Sequence, residues 1–329
     1  MTLIKAENLD KKFKIYQRGD GITGYLKSFI SREYEEVHAV RDLNLEIEKG
    51  EMIGYIGANG AGKSTTVKML TGILEPSSGL IEVDGRNPHK ERKKNAMNIG
   101  VVFGQKTQLW WDLPVKESFK LLKEIYEVSD EDYEDRIDEF DEVLQLSDFW
   151  DQPVRKLSLG QKMRCELAAA FLHHPKIVYL DEPTIGLDVA VKERIRDFIR
   201  KMNEEKDITV MLTTHDIGDI EDLCNRIVVL DEGKKIYDGE LDTLVNRFTS
   251  RRMILDVRNG EEFELEMEGV QEVEKQEAHI EIVFDREKIS ASDLMREVLN
   301  RYEVLDFQIR EPDIETVVKK IYNEGLEEE

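Results

Sequence analysis

The chain has 329 residues, with 70 acidic against 47 basic side chains and a net charge of −23, a balance that disfavours DNA, RNA or anionic lipid as an obligate partner. Its 40 % hydrophobic content is enough for a sizeable core, and its length fits one large domain or a large one with a small one. No apolar run approaches the roughly 18 to 20 residues of a bilayer span, residues 1 to 10 read as a strand and not a signal peptide, and Cys165 and Cys224 form neither a disulfide scaffold nor a metal-ligand spacing, which fits a reducing cytosol.

The charge is unevenly placed. Residues 127 to 151 hold 12 acids and one base, residues 251 to 329 hold 23 acids and 11 bases, and the remainder carries 35 of each. The acidity therefore belongs to two patches on a neutral body.

In chain order, the first strand is followed at residues 14 to 37 by an insertion. In it Ile22, Tyr25, Leu26, Phe29, Ile30 and Tyr34 fall on one helical face, with Lys27 and Arg32 near its polar side. That face packs on its own domain or lies on a membrane surface or a partner helix. Short apolar runs at 52–57, 100–103, 177–180, 208–213 and 226–230 alternate with helix-period segments, the pattern of an α/β domain with a mostly parallel sheet. Residues 115 to 172 interrupt the alternation, being helical in period throughout, and read as a helical insertion. After about residue 245 come strands at 253–257, 262–267 and 279–284, a helix at 291–301, another strand and a last short helix. This is a separate α+β module, joined through residues 246–252. It offers no catalytic cluster, its acids read as a solvated face, and its expected role is dimer stabilisation or regulation.

The run Gly57-Ala58-Asn59-Gly60-Ala61-Gly62-Lys63-Ser64 leaves an apolar strand and opens a predicted helix over 63–71, the context that makes a phosphate-binding Walker A loop. Glycines let backbone N–H groups curl around β- and γ-phosphate oxygens, the helix N-terminus adds its positive end, and Lys63 supplies a mobile charge. Ser64, with Thr65 beside it, offers a hydroxyl to Mg²⁺. At the end of the strand 177–180, Asp181 is the candidate metal carboxylate and Glu182 the candidate base that polarises the attacking water. Lys63 and Asp181 are 118 residues apart.

Between these motifs lies Leu157-Ser158-Leu159-Gly160-Gln161 at the start of a helix, and after them come Pro183 to Asp188, including Gly186-Leu187-Asp188, and His215. This ordered set resembles the ATP-binding subunits of ABC transporters over about residues 2 to 245. The resemblance implies a P-loop NTPase fold with an N-terminal antiparallel β region and a helical subdomain at about 107–175, within an ATPase domain of residues 1–245. Residues 246–329 then form the small accessory α+β domain. It further implies that Gln105 is the Q-loop residue that senses Mg²⁺ and links to the transport partner, His215 the switch histidine at the γ-phosphate, Asp188 a residue of the dimer seam, and Glu182 the general base. Ser158 and the N–H groups of Gly160 and Gln161 would make a second anion site. One chain presents one loop and one signature, so in the family two copies clamp two ATP molecules between them. Adenine stacking falls to Phe13 or Tyr16.

Leu159 replaces the first glycine of the common Leu-Ser-Gly-Gly-Gln signature, which is harmless only if that residue is helical. His173 and His174, near a helix end before Pro175, read as surface or capping residues. The resemblance favours an export motor of the ABC-2 type, like multidrug and sodium-export subunits. Such a subunit is cytoplasmic, peripheral on the membrane through separate permease subunits, and contacts them near Trp110, Trp111 and Pro114. The alternatives are an importer ATPase and a soluble ABC ATPase acting on ribosomes or nucleic acid; no long coiled coil or second cassette supports the latter.

Overall fold

The computed structural model describes residues 1–16, 34–104, 106–214, 216–247, 250–258, 260, 263–310 and 317. Its contacts divide the chain into two compact units, Met1–Gly239 and Glu240–Glu329. The division falls before the junction expected at 246–252, because the helix Leu241–Arg247 groups with the second unit.

In the first unit, β1 (Thr2–Tyr16), β2 (Tyr34–Glu48) and β4 (Ser78–Val83) form an antiparallel sheet in the order β2-β1-β4. A six-stranded sheet, ordered β5-β6-β7-β3-β8-β9, is built from β3 (Met52–Gly57), β5 (Ile99–Phe103), β6 (Ile177–Asp181), β7 (Thr209–Thr213), β8 (Arg226–Asp231) and β9 (Lys234–Glu240). Its pairs from β5 through β8 are parallel. Both faces are covered, so β7 is buried at every residue and its neighbours nearly so, and these strands read as continuous apolar runs instead of alternating ones. The register aligns Phe103 with Asp181 and Asp181 with Thr213, which brings the carboxyl ends of β5, β6 and β7 level. In open α/β sheets that end is where ligands bind.

Helices α1 (Lys63–Leu70) and α2 (Arg92–Ala96) precede β5. Between β5 and β6 the described chain is helical, as expected: α3 (Val115–Ile125), α4 (Asp130–Leu144), two 3₁₀ turns and α5 (Leu159–Phe171). Ser129 caps α4 by accepting from the Asp132 N–H at 3.1 Å, and three acids in its first turn suit the positive end of the helix. After β6 come α6 (Val189–Lys206) and α7 (Ile217–Leu223). The helical insertion is pinned to the sheet layer through Phe198 of α6, which meets Phe140 of α4 and Phe171 of α5, each edge-on with ring centroids 5.2 Å apart.

The second unit holds α8 (Leu241–Arg247), β10 (Ser250–Val257), β11 (Val270–Gln276), β12 (His279–Asp285), α9 (Ala291–Arg301) and β13 (Val304–Arg310). Its antiparallel sheet runs β11-β12-β10-β13. The segment 262–267 is not the expected strand: its described residues 263–267 lie outside any sheet, and Phe263 and Leu265 are drawn into the core with Ile282, Phe284 and Leu294. Alternation alone cannot distinguish a paired strand from an extended segment that drops every second side chain into a core. Apart from Val317, the expected last helix lies outside the described residues, as do residues 17–33 with most of the amphipathic face.

Replacing Phe198, which is fully buried, by Ala removes the ring shared by three helices and is expected to cost about 3–5 kcal/mol. A denaturant midpoint unchanged from wild type would contradict this reading of how the insertion is anchored.

Candidate nucleotide site

The loop after β3 is shaped by glycines with positive φ. Gly62 has φ +102°, and a Cβ there would lie 2.4 Å from the Ala39 carbonyl oxygen on β2; Gly60, at φ +87°, faces open space. Gly62 is also the residue before α1 and has no side chain with which to cap it, so the first N–H groups of that helix are left for an acceptor from outside. Thr66 ties the turn down by donating to the Gly62 carbonyl at 3.1 Å and accepting from the Tyr55 hydroxyl at 3.2 Å. Lys63 is buried, and its Nζ donates to the Gly57 and Ala58 carbonyls at 2.6 and 3.2 Å. Burial pulls its ammonium below the ordinary lysine range, while Glu182 and Asp181 pull it back.

The Ser64 hydroxyl donates to Asp181 Oδ2 at 3.3 Å, and Asp181 Oδ1 accepts from Thr213 at 2.6 Å. Loop, strand end and neighbouring strand thus meet on one carboxylate. Among the described residues no cluster of three or more His, Cys, Asp or Glu could hold a metal. Glu182 follows directly with φ +57°, a left-handed conformation rare for a non-glycine residue and frequent at functional positions. Its N–H donates to the Thr213 carbonyl at 2.9 Å.

These groups line an open cleft of about 610 Å³ with Asn59, Gly60, Gly62, Thr65 and Gly104. The cleft also takes in Lys68, Ile73, Phe103, Lys106 and Ile185, which the motif spacing did not single out. Lys68 lies one helical turn beyond Ser64, so the helix period could have found it. Ile185 lies within the Pro183–Asp188 run and Phe103 and Lys106 close to Gln105, so proximity to those motifs could have found them, whereas Ile73 had no signal.

The signature lies elsewhere: Ser158, Gly160 and Gln161 are not among the residues lining that cleft. Ser158 caps α5 in a reciprocal box, accepting from the Gln161 N–H at 3.2 Å and donating its own N–H to Gln161 Oε1 at 2.9 Å. The box gives the Gln161 N–H, expected to face an anion, a partner within the chain. Leu159 is the first residue of α5 and is not among the residues with positive φ, so leucine is tolerated there without strain. A Cβ on Gly160 would touch Val191 at 3.3 Å, and one on Gly186 would touch Leu159 at 3.4 Å. The signature is therefore packed against the segment that follows Glu182. Asp188 caps α6 by accepting from the Val191 N–H at 2.9 Å.

Gln105 and His215 lie outside the described residues, but the neighbours of residue 215 are well tied. Fully buried Asp219 accepts from Thr184, from Thr214 at 3.2 Å and from Arg196 Nε at 2.7 Å. The Asp216 N–H donates to Thr214 at 2.9 Å. Phe13 is partly exposed on β1, with Lys11 Nζ 5.3 Å from its ring centroid, and is not among the cleft-lining residues. The side chain of Tyr16 is outside the described set. His173 is not a surface or capping residue: it stacks on Tyr126 with centroids 3.9 Å apart, pairs Nε2 with the Ile99 carbonyl at 2.9 Å, and burial lowers its pKa to about 4.

The family model described as "ABC transporter" matches residues 40–185. The protein named ABC transporter ATP-binding protein NatA of Bacillus subtilis is 34 % identical over 218 residues, 65 % of this chain and 88 % of its own length. The chain is an ATP-binding protein of the ABC transporter family. The linearmycin resistance ATP-binding protein LnrL of Bacillus subtilis is 30 % identical to this ABC ATPase over 294 residues, 87 % of the chain and 94 % of its own length. The methionine import ATP-binding protein MetN of Geobacillus kaustophilus is 34 % identical over 237 residues, 71 % of the chain and 65 % of its own length. Among solved structures, the dimeric post-hydrolysis state of the ATP-binding cassette MJ0796 bound to ADP and Pi matches with a TM-score of 0.60 at 28 % identity. It covers 72 % of this ATPase and 98 % of that chain.

Gly62→Ala, which meets both a forbidden φ and the Ala39 carbonyl, is expected to weaken ATP binding by at least about tenfold. Gly60→Ala, strained but unobstructed, is expected to bind better than Gly62→Ala. Equal affinities of the two variants in a fluorescent-nucleotide titration would show that the close approach at Gly62 does not matter.

Proposed function

We propose that this ABC ATPase is the motor subunit of an exporter, with two copies closing around two ATP molecules and driving separate membrane subunits. The observation that carries the two-copy reading is the separation of its two phosphate-directed elements. The cleft holds the loop and Asp181 but none of Ser158, Gly160 and Gln161, which supports a second copy supplying the signature to a nucleotide bound there.

In this reading the loop N–H groups and Lys63, exchanging its carbonyl partners for phosphate oxygens, hold the β- and γ-phosphates. Ser64 and Asp181, with Gln105, are the ligands for Mg²⁺, which when bound would neutralise charge on the phosphates. Glu182 accepts the proton of the attacking water and His215 orients that water against the γ-phosphate. Closure around ATP stores binding energy in the dimer, and hydrolysis releases it.

Direction of transport is supported by coverage. The alignment with the linearmycin resistance protein, at 294 residues, is longer than the unit Met1–Gly239 and so extends into the second unit. A shared accessory unit supports an export or resistance role; in this reading the permease is of the ABC-2 type and holds the ATPase at the inner face of the membrane.

Glu182→Gln keeps shape and hydrogen bonding but removes the base. It is expected to bind ATP, lose about 10²–10⁴-fold in turnover and accumulate as an ATP-dependent dimer, while adding Ser158→Arg abolishes that dimer and leaves ATP binding intact. Steady-state hydrolysis and light scattering with and without ATP decide it. Parental turnover in Glu182→Gln, or a monomer under saturating ATP, would sink the proposal.

A further inference from the structure

The sheet of the second unit has two edges of opposite character. β11 is studded with exposed Glu272, Glu274 and Lys275, the kind of charges that keep an edge from recruiting another chain. β13, at the other edge, exposes Leu305, Phe307 and Ile309 at 59, 56 and 40 %. Its register with β10 sets Phe307 opposite Leu255 and Ile309 opposite Met253. Both β10 partners are fully buried in the core, so β13 continues the core-facing side of the sheet out into solvent.

The other side of the same strand carries a second irregularity. Asp306 lies opposite Asp256, and Arg310 lies opposite Arg252; like charges directly across a ladder cost sheet stability. The β10 members have partners on β12: Arg252 pairs with Glu281 at 2.6 Å, and Asp256 shares a hydrogen bond with the His279 ring at 2.9 Å. Asp306 and Arg310 have no ion pair among the described residues: Asp306 accepts from the Phe307 N–H at 2.8 Å, and Arg310 donates to the Gln308 side chain at 2.9 Å. An acid and a base are therefore left on the open edge, four residues apart.

The run Asp306-Phe307-Gln308-Ile309-Arg310 is self-complementary about its middle residue. We propose that β13 is a self-pairing edge, on which a second copy of this chain adds antiparallel with the two-fold axis at Gln308. In that register Asp306 faces the partner's Arg310, Phe307 faces the partner's Ile309, and Gln308 faces the partner's Gln308. Both uncompensated charges gain an opposite neighbour twice over, Phe307 and Ile309, two of the three exposed apolar side chains, cover each other, and two four-stranded sheets become one. The contact is independent of nucleotide, unlike the ATP-dependent closure proposed above, so the two can fail separately.

The full-length chain without nucleotide, followed by sedimentation velocity up to about 100 µM, is expected to associate. Asp306→Arg and Arg310→Asp are each expected to weaken association by at least about tenfold, and the double swap to recover to within about threefold of wild type. Gln308→Cys is expected to give a disulfide-linked dimer on mild oxidation, whereas Glu274→Cys on the charged edge is not; the natural Cys165 and Cys224 are buried. A nucleotide-free chain that stays monomeric, single reversals that associate like wild type, a double swap no better than the singles, or Gln308→Cys cross-linking no faster than Glu274→Cys would each overturn the self-pairing. In those cases residues 311–329 or a different protein would remain as occupants of the edge.

Discussion

Backbone N–H donors that point the same way with no internal acceptor suit a polyphosphate, and the turn at Gly62 is the constraint that leaves such donors at the start of α1. Its backbone comes so near the Ala39 carbonyl that a Cβ would sit 2.4 Å from it. That approach locks the loop between the antiparallel sheet and α1 and leaves the start of the helix uncapped. The rest of the site is arranged around that opening. The parallel register brings Asp181 level with Thr213, Thr213 and Ser64 converge on the same carboxylate, and the left-handed turn at Glu182 carries the next carboxylate to the cleft wall.

Two helix N-termini in this unit are treated in opposite ways. α1 begins at a glycine without a cap, whereas α5 begins at a serine in a closed capping box. Capping stabilises a helix by roughly 0.5–2 kcal/mol, so the uncapped end gives up local stability for donors available to a ligand. The capped end keeps its Gln161 N–H satisfied within the chain and so has a stable resting form away from the nucleotide. This asymmetry fits a loop that binds nucleotide in the single chain and a signature that acts on a nucleotide brought by another copy, as proposed.

The acidity of the chain also finds its setting. Part of it compensates nearby bases between helices and between strands, as at Lys201 and Lys206, both near Glu139, or Arg252 with Glu281. Exposed pairs of this kind contribute little individually; their main effect is on which surfaces attract or repel a partner. On the second unit β11 exposes Glu272, Glu274 and Lys275 where β13 exposes Leu305, Phe307 and Ile309 alongside its two charges, so a patch that reads in composition as uniform solvation is, strand by strand, a contrast between two edges.

The sequence by itself determined the α/β class, the helical insertion and the phosphate loop, because each is written in local periodicity or in residues adjacent along the chain. It also carried the family, through motifs whose order survives without knowledge of their contacts. Only the tertiary structure decided that Leu159 sits without backbone strain, because that depends on where α5 begins. Likewise it alone decided that 263–267 feeds a core without pairing, that His173 is a stacked, half-buried ring, and that Lys106, Phe103 and Ile185 share the cleft with Lys63. Most of these follow from which distant segments pack together and which backbone groups find partners, and a one-dimensional pattern does not encode the identity of the partner. The charge clash at Asp306 and Arg310 is the sharpest instance: each residue is unremarked in the sequence, and only the strand register sets like against like.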